Sequence, residues 1–153
     1  MTRSNQFVTL MTYATLNPSF AEEIKCSFAG QAVMQLIGAE LSRVEPGLVE
    51  ITLPYRPDLT QQLGYLHAGV ITTIADSACG YAAYSLMPAG SEVLSIEVKV
   101  NLLRPAKGGS FLARAAVIKG GRTLSVVRAD VFRLAGNEEL IATMQGTMIC
   151  VRK

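Results

Sequence analysis

The sequence lacks tryptophan and contains only one histidine and three cysteines. Cys26, Cys79 and Cys150 are odd in number and far apart, which excludes a disulfide framework. With a single histidine they offer no spacing typical of a zinc site, so we expect no metal. We expect the three cysteines to be buried apolar residues.

Charge is also scarce, because only 17% of the residues are charged while half are hydrophobic. This composition excludes a disordered chain and suggests a buried interface in addition to the core. The net charge of +2 gives no broad basic field, and the sequence contains no nucleic-acid-binding motif. We therefore expect no nucleic-acid partner. The length predicts a single domain over residues 1–153.

Residues 66–87 are apolar enough to raise the question of a membrane span. However, this segment contains Asp76 and several Ser, Thr and Gly residues, and it lacks the flanking Lys or Arg residues that usually anchor a span. We therefore expect no membrane partner. Residues 1–16 contain one arginine and a broken apolar run, which is atypical of a signal peptide. These features favour a cytoplasmic protein.

The apolar pattern predicts the secondary structure in outline. Residues 17–30 are typical of a helix, which would complete an N-terminal extension over residues 1–32. The core, residues 33–151, would begin with two strands, over 34–44 and 47–55.

A long central helix is expected from about Ala68 to Leu86, with apolar residues at helical spacing. After this helix the period changes to two, and residues 94–102 predict a half-buried strand. Three further strands complete the pattern, over 110–119, 122–134 and 140–151. Six strands and one very apolar helix favour the α+β class, with an antiparallel sheet of about six strands wrapped around the central helix.

Asp76 is the only charged residue between Leu59 and Ser91. A lone carboxylate in an apolar segment is costly unless it has a partner or a function. It could be structural and bond to the backbone of a neighbouring strand. It could also act as a general base or a nucleophile, which a carboxylate can do without a metal or cofactor.

Two stretches, "LGYLHAGVITTIADSA" and "LSIEVKVNLLRPAKGG", resemble the hotdog-fold thioesterases of the phenylacetate-pathway (PaaI-like) type. In that family His-Gly-Gly opens the central helix, an Asp follows in the same helix, and the next strand ends in an Asn-x-x-x-x-Pro-like stretch. Here these are residues 67–69, Asp76 and residues 101–105. The resemblance covers about residues 33–151. It implies the hotdog fold and an acyl-CoA thioesterase without a cofactor, because coenzyme A is part of the substrate.

The resemblance also implies catalytic roles. Asp76 would activate water as general base or attack the thioester carbonyl itself. The backbone N–H of Ala68, with Gly69 beside it, would bind the oxyanion at the helix N-terminus. Gln61 would polarise the carbonyl or hold water, and Ser95 would support the nucleophile. Two residues depart from the family pattern, since Ala68 stands where Gly is usual and Gln61 where Asn is common.

Four further residues are expected to bind substrate: His67, Thr72, Arg104 and Lys107. Arg104 and Lys107 lie within the resembling region, and their cationic groups could hold the phosphates of coenzyme A. We expect His67 mainly to shape the turn at the start of the central helix.

The spacing of Ala68 and Asp76 predicts an oligomer. Eight residues of helix span about 12 Å, so one carbonyl cannot lie within hydrogen-bond reach of both groups in a single chain. If both act, they come from different chains, and a homodimer is the minimal active unit. The resemblance further implies a homotetramer of two such dimers.

Two other functions remain open on the sequence alone. One is a hotdog dehydratase or hydratase, which generally pairs a catalytic His with an acidic residue among prolines. The stretch "HAGVITTIAD" contains no proline, which argues against this function. The other is a non-catalytic acyl-CoA-binding module that has kept the fold and lost the chemistry.

Overall fold

The computed structural model describes residues 13–152. The elements in chain order are α1 (Phe20–Gly30), α2 (Ala32–Ile37), β1 (Glu40–Glu45), β2 (Leu48–Pro54), a 3₁₀ turn (Pro57–Leu59), α3 (Ala68–Tyr84), β3 (Ser91–Leu102), β4 (Ser110–Lys119), β5 (Leu124–Ala135) and β6 (Asn137–Arg152). The first twelve residues, on which the signal-peptide expectation mainly depends, lie outside the described residues.

All six strands form one antiparallel sheet in the order β1-β2-β4-β5-β6-β3. The predicted α+β class, with six strands, a central helix and an additional N-terminal helix, is confirmed. This arrangement is the hotdog fold. Within residues 13–152, β1 and β3 each pair on one side only, so they are the two edges of the sheet.

Helix α3 packs on one face of the sheet, where it contacts β2 to β6. Its buried face contains Ile71 and Ile74 and a row of alanines that includes Ala75, Ala78 and Ala82. Small side chains let the helix approach the sheet closely, and the burial of this face stabilises the fold. None of the helices within residues 13–152 is long and apolar enough to cross a membrane.

Helix α1 is held against α3 by side-chain hydrogen bonds. The Tyr84 hydroxyl donates to Glu23 Oε2 at 2.7 Å, and the hydroxyls of Ser27 and Tyr81 lie 3.1 Å apart. Burial and the neighbouring Glu23 carboxylate raise the pKa of Tyr84 to about 12. Tyr84 therefore remains a protonated donor at neutral pH, and α1 stays anchored beside the central helix.

The strand predicted over residues 34–44 is wrong in its first half. Residues 32–37 form α2, and Gly38, with φ +75°, ends this helix before β1 begins at Glu40. Met34 and Ile37 are both buried, three residues apart, which is the spacing of one helix face. The short apolar run fits helix and strand alike, and tertiary packing decides between them.

The half-buried strand predicted over residues 94–102 is also corrected. In β3 the side chains of Leu94, Ile96 and Val98 are 58%, 55% and 43% exposed. The pairing register with β6 shifts between Ser95 and Glu97, so a bulge interrupts the alternation. Strand β3 thus forms a solvent-facing edge that exposes apolar side chains among charged ones.

The cysteines differ in burial. Cys79 is fully buried in α3, Cys150 is half-buried and Cys26 is exposed. Burial, with help from Asp76 and Asp130, raises the pKa of the Cys79 thiol, which keeps it protonated. The expectation that all three cysteines are buried is wrong for Cys26, which lies on α1 facing away from the core.

Candidate active site

Asp76 is half-buried on α3, on the side that faces the edge strand β3. The Ser95 hydroxyl donates a hydrogen bond of 2.7 Å to Asp76 Oδ1 and lies 3.2 Å from Met148 Sδ. The bulge in β3 follows directly after Ser95. Among residues 13–152, the partner of Asp76 is thus a side-chain hydroxyl and not the backbone of a strand.

An open pocket of about 610 Å³ surrounds this pair. Thr72 and Ser95 line it together with Asp76, and Gln31 and Val33 contribute from the junction of α1 and α2. Thr72 Oγ1 donates to the Ala68 carbonyl at 2.8 Å, so its hydroxyl proton is used within the helix. A ligand here would meet two carboxylates, those of Asp76 and Glu97, and several neutral polar groups.

The start of α3 presents a free hydrogen-bond donor. The imidazole Nδ1 of His67 accepts the Gly69 N–H at 2.9 Å, and the His67 carbonyl accepts from Val70 and Ile71. Within residues 13–152 the Ala68 N–H has no such acceptor. A helix N-terminus carries partial positive charge and attracts anions. Two backbone N–H groups were expected to bind the oxyanion. The N–H of Ala68 is available, whereas the N–H of Gly69 is already bonded to the His67 imidazole.

A second pocket, of about 480 Å³, lies at this end of the helix. Gln61, His67, Ala68 and Arg104 line it. The side-chain oxygen of Gln61 accepts the Leu63 N–H, which leaves its NH₂ group as the end that can donate to a ligand.

Arg104 lines this second pocket, and two further basic side chains lie near it. Arg104 Nη1 donates to the Leu140 carbonyl at 2.6 Å and Arg104 Nε lies 3.6 Å from Glu139. Lys107 Nζ lies 5.7 Å from the ring centroid of Tyr65, a pocket-lining residue. Arg133 was not expected here, yet it pairs with Glu139 at 2.6 Å. Nothing in the sequence pattern indicates that Arg133, two strands away, joins this group.

The expected site residues therefore fall into two groups within one chain. Asp76, Ser95 and Thr72 share one pocket, while Gln61, His67, Ala68 and Arg104 share the other, with Gly69 and Lys107 adjacent to it. Ala68 and Asp76 lie on the same helix, about 12 Å apart along its axis. Within residues 13–152 no group of three or more His, Cys, Asp or Glu side chains could hold a metal ion.

Comparison with known proteins identifies the family. The model of the thioesterase superfamily matches residues 63–140, just over half of the chain. A protein from Saccharolobus solfataricus, named provisionally as an esterase, is 32% identical over 123 residues, which cover 80% of each chain. A 1,4-dihydroxy-2-naphthoyl-CoA hydrolase from Listeria monocytogenes is 29% identical over 94 residues, 61% of this chain and 76% of its own.

Solved structures agree with this match. A thioesterase family protein from Silicibacter pomeroyi is 47% identical with a TM-score of 0.86, over 88% of this chain and 99% of its own. The PaaI protein of the E. coli phenylacetic acid degradation operon is 17% identical with a TM-score of 0.80, over 90% of this chain and 96% of its own, and shows the shared fold alone. The chain therefore belongs to the thioesterase superfamily, has the hotdog fold, and is an enzyme of the thioester hydrolase class.

Proposed function

We propose that the protein hydrolyses acyl- or aryl-coenzyme A thioesters to the free acid and coenzyme A, with Asp76 as general base or nucleophile. The observation that carries the proposal is the hydrogen-bonded pair of Asp76 and Ser95, which lines an open pocket on the helix that also begins with the unpaired N–H of Ala68. The acyl-CoA hydrolase among the relatives supports coenzyme A as the leaving group.

As a general base, Asp76 takes a proton from a water molecule whose oxygen attacks the thioester carbonyl carbon. The carbonyl π electrons move to the oxygen, and the Ala68 N–H at the helix start stabilises the negative charge. Collapse of this intermediate re-forms the C=O bond, breaks the C–S bond and releases coenzyme A thiolate, which takes up the proton. As a nucleophile, Asp76 itself would attack the carbonyl carbon, the C–S bond would break with release of coenzyme A thiolate, and water would then hydrolyse the resulting mixed anhydride to the free acid and the Asp76 carboxylate.

The proposed site is shared between two chains. Within residues 13–152, strand β3 is an edge of twelve residues that exposes Leu94, Ile96 and Val98, and an edge of this length can pair with another strand. Strand β3 could pair antiparallel with β3 of a second chain around a two-fold axis near the middle of the strand. The N-terminal half of β3, which contains Ser95, would then lie beside the C-terminal half of the partner strand, which contains Leu102. Leu102 lines the Ala68 pocket and Ser95 the Asp76 pocket, so the two half-sites would meet across the interface.

This arrangement makes the homodimer the minimal active unit, while the homotetramer rests on the resemblance alone. The basic group formed by Arg104, Lys107 and Arg133 is proposed to hold the phosphates of coenzyme A. Gln61 is proposed to contact the carbonyl or a water molecule. The cytoplasmic location and the absence of a cofactor remain predictions from the sequence.

The direct test measures release of free thiol from a panel of acyl- and aryl-CoA substrates by the purified protein. Hydrolysis requires equal amounts of thiol and free acid. Binding of acyl-CoA without thiol release would instead indicate a binding module. Loss of the ultraviolet absorbance of an enoyl thioester without thiol release would indicate a hydratase.

A further inference from the structure

A polar groove lies on the face of the sheet that points away from α3. Successive strand residues alternate between the two faces, and Ala129 of β5 and Met144 of β6 belong to the core beneath α3. Their neighbours Arg128 and Gln145 therefore lie on the outer face. They line a groove of about 360 Å³. The other side chains on its outer rim and floor are Glu97, Lys99, Asn101, Thr143 and Thr147.

Two cations flank an amide in the middle of this groove. Gln145 on β6 pairs with Lys99 on β3 and with Arg128 on β5, so the three residues form one row across the sheet. Neighbouring strands are about 4.8 Å apart, which places the backbones of Lys99 and Arg128 roughly 10 Å apart. Their long side chains can therefore converge on a ligand above Gln145.

Each residue of this row keeps hydrogen-bond donors for a ligand. Lys99 Nζ donates one proton to Asn101 Oδ1 at 2.6 Å and keeps two. Arg128 Nε and Nη2 donate to Asp130 Oδ1 at 3.1 and 3.0 Å, which leaves three of the five guanidinium N–H groups. The Gln145 side chain has no partner within residues 13–152. Asp130 offsets one of the two positive charges, so the row offers one net charge and enough donors for the three terminal oxygens of a phosphate ester.

The next row of the groove favours a hydroxyl group. Thr147 Oγ1 donates to Glu97 Oε2 at 3.1 Å, and Glu97 Oε1 remains able to accept. Glu97 lies two residues from Lys99 on β3, about 7 Å along the strand, so a short carbon chain that starts at the phosphate can reach it. The carboxylate attracts a hydroxyl donor there and repels a second phosphate. Among the described residues that line the groove none is aromatic, so no ring stacks on a base.

We propose that this groove binds a small hydroxylated phosphate ester, such as a sugar phosphate. The phosphate lies at Lys99, Gln145 and Arg128, and a hydroxyl group of the same molecule donates to Glu97. The three phosphate-binding residues line neither of the pockets along α3. The inference therefore goes beyond the proposed function and does not depend on it.

The test is isothermal titration calorimetry with ribose 5-phosphate as the probe, beside inorganic phosphate and pyrophosphate. Wild-type protein should bind ribose 5-phosphate, and the other two at least about tenfold more weakly, the scale of one hydrogen bond to a charged group. Lys99→Met removes the ammonium group and should weaken the binding of ribose 5-phosphate at least about tenfold for the same reason. Glu97→Gln removes the repelling charge and should bring the affinities for pyrophosphate and ribose 5-phosphate closer together.

The matched control is Lys119→Met, the same change on an exposed lysine at the end of β4, which should leave the affinity at its wild-type value. Gln145→Met should also weaken binding, and it decides the matter if Lys99→Met does not fold by circular dichroism. Binding that survives both groove substitutions but is lost in Arg104→Met places the phosphate at the helix start and overturns the inference. Equal affinity for inorganic phosphate and ribose 5-phosphate, or no binding of ribose 5-phosphate, overturns it as well.

Discussion

The two pockets along α3 differ in what they offer a thioester. The one around Asp76 supplies this carboxylate, the Ser95 hydroxyl that bonds to it, a second carboxylate from Glu97, and neutral polar groups. The one at the helix start supplies the Ala68 N–H, which has no acceptor within residues 13–152, and the Arg104 guanidinium. The proposed mechanism uses both sets of groups, and one chain keeps them about 12 Å apart. In the proposed mechanism each pocket is therefore half of a site, and a second copy of the chain supplies the other half.

The two edge strands of the sheet, β1 and β3, differ in length and in the side chains that they expose. Strand β1 is six residues long, and its Arg43 pairs with Glu45 at 2.9 Å, the kind of charged, short edge that discourages pairing. Strand β3 is twice as long and exposes Leu94, Ile96 and Val98. Of these two edges, the longer β3 exposes more apolar side chains and is the better candidate for association, and Ser95, which bonds to Asp76, lies on it.

The largest effect is expected from Asp76→Asn. Asparagine can still accept the Ser95 hydrogen bond, so the fold should survive, but it can neither take a proton nor attack a carbonyl. Turnover should fall by at least about a hundredfold, the usual scale for loss of a general base. The control is Glu97→Gln, because Glu97 lines the same pocket but bonds to Thr147. A folded Asp76→Asn protein with near-wild-type thiol release would exclude the mechanism.

A charge on the β3 edge should separate the half-sites. Ile96→Lys places a cation on a side chain that is 55% exposed, where lysine opposes edge-to-edge pairing. We expect a monomer by light scattering and at least about a tenfold loss of activity, because buried unpaired charges are costly. Leu36→Lys, on an even more exposed leucine of α2, should leave both unchanged. A fully active Ile96→Lys monomer would contradict the shared site.

Mixing two inactive variants should restore part of the activity. Ala68→Val is expected to block the oxyanion site, and Asp76→Asn removes the carboxylate. A heterodimer of the two has one site with both defects and one with neither. Random exchange of equal amounts makes about half of the dimers heterodimeric, so activity should return to about a quarter of wild type if the sites are independent. No recovery after confirmed subunit exchange would place both groups in one chain.

The fold was largely predictable from the sequence, because the central helix and most strands have long apolar patterns with a clear period. The central helix begins at Ala68 as expected and ends at Tyr84, two residues early. The errors lie where tertiary structure decides. Residues 32–37 form a helix because Met34 and Ile37 pack on the core, and β3 is exposed because it is an edge with a bulge. Periodicity reports which residues share a face, but it does not report what covers that face.

The candidate site was predictable only in part. The family resemblance indicates Asp76 and Ser95, and in the structure Ser95 Oγ lies 2.7 Å from Asp76 Oδ1. It does not indicate that His67 engages the Gly69 N–H, nor that Gln31 and Ser77 line the space behind Asp76. Gln31 lies in the predicted N-terminal extension, 46 residues from Ser77. Contacts between elements so distant in sequence leave no local pattern to read.

The smallest effect is expected from Ala68→Gly, which separates the backbone of the helix start from its side chain. If Ala68 acts only through its N–H, glycine keeps the donor, and activity should stay within about twofold of wild type or rise as access improves. Glycine lowers helix stability by about 1 kcal/mol at most, which thermal unfolding would detect separately. The comparison variant is Gly69→Ala, whose added Cβ would lie 3.0 Å from the His67 imidazole Nδ1. This crowding should loosen the cap, so Gly69→Ala should lower activity more than Ala68→Gly does. A loss beyond about tenfold in Ala68→Gly, with the helix intact, would show that the Ala68 side chain contributes and that the oxyanion donor lies elsewhere.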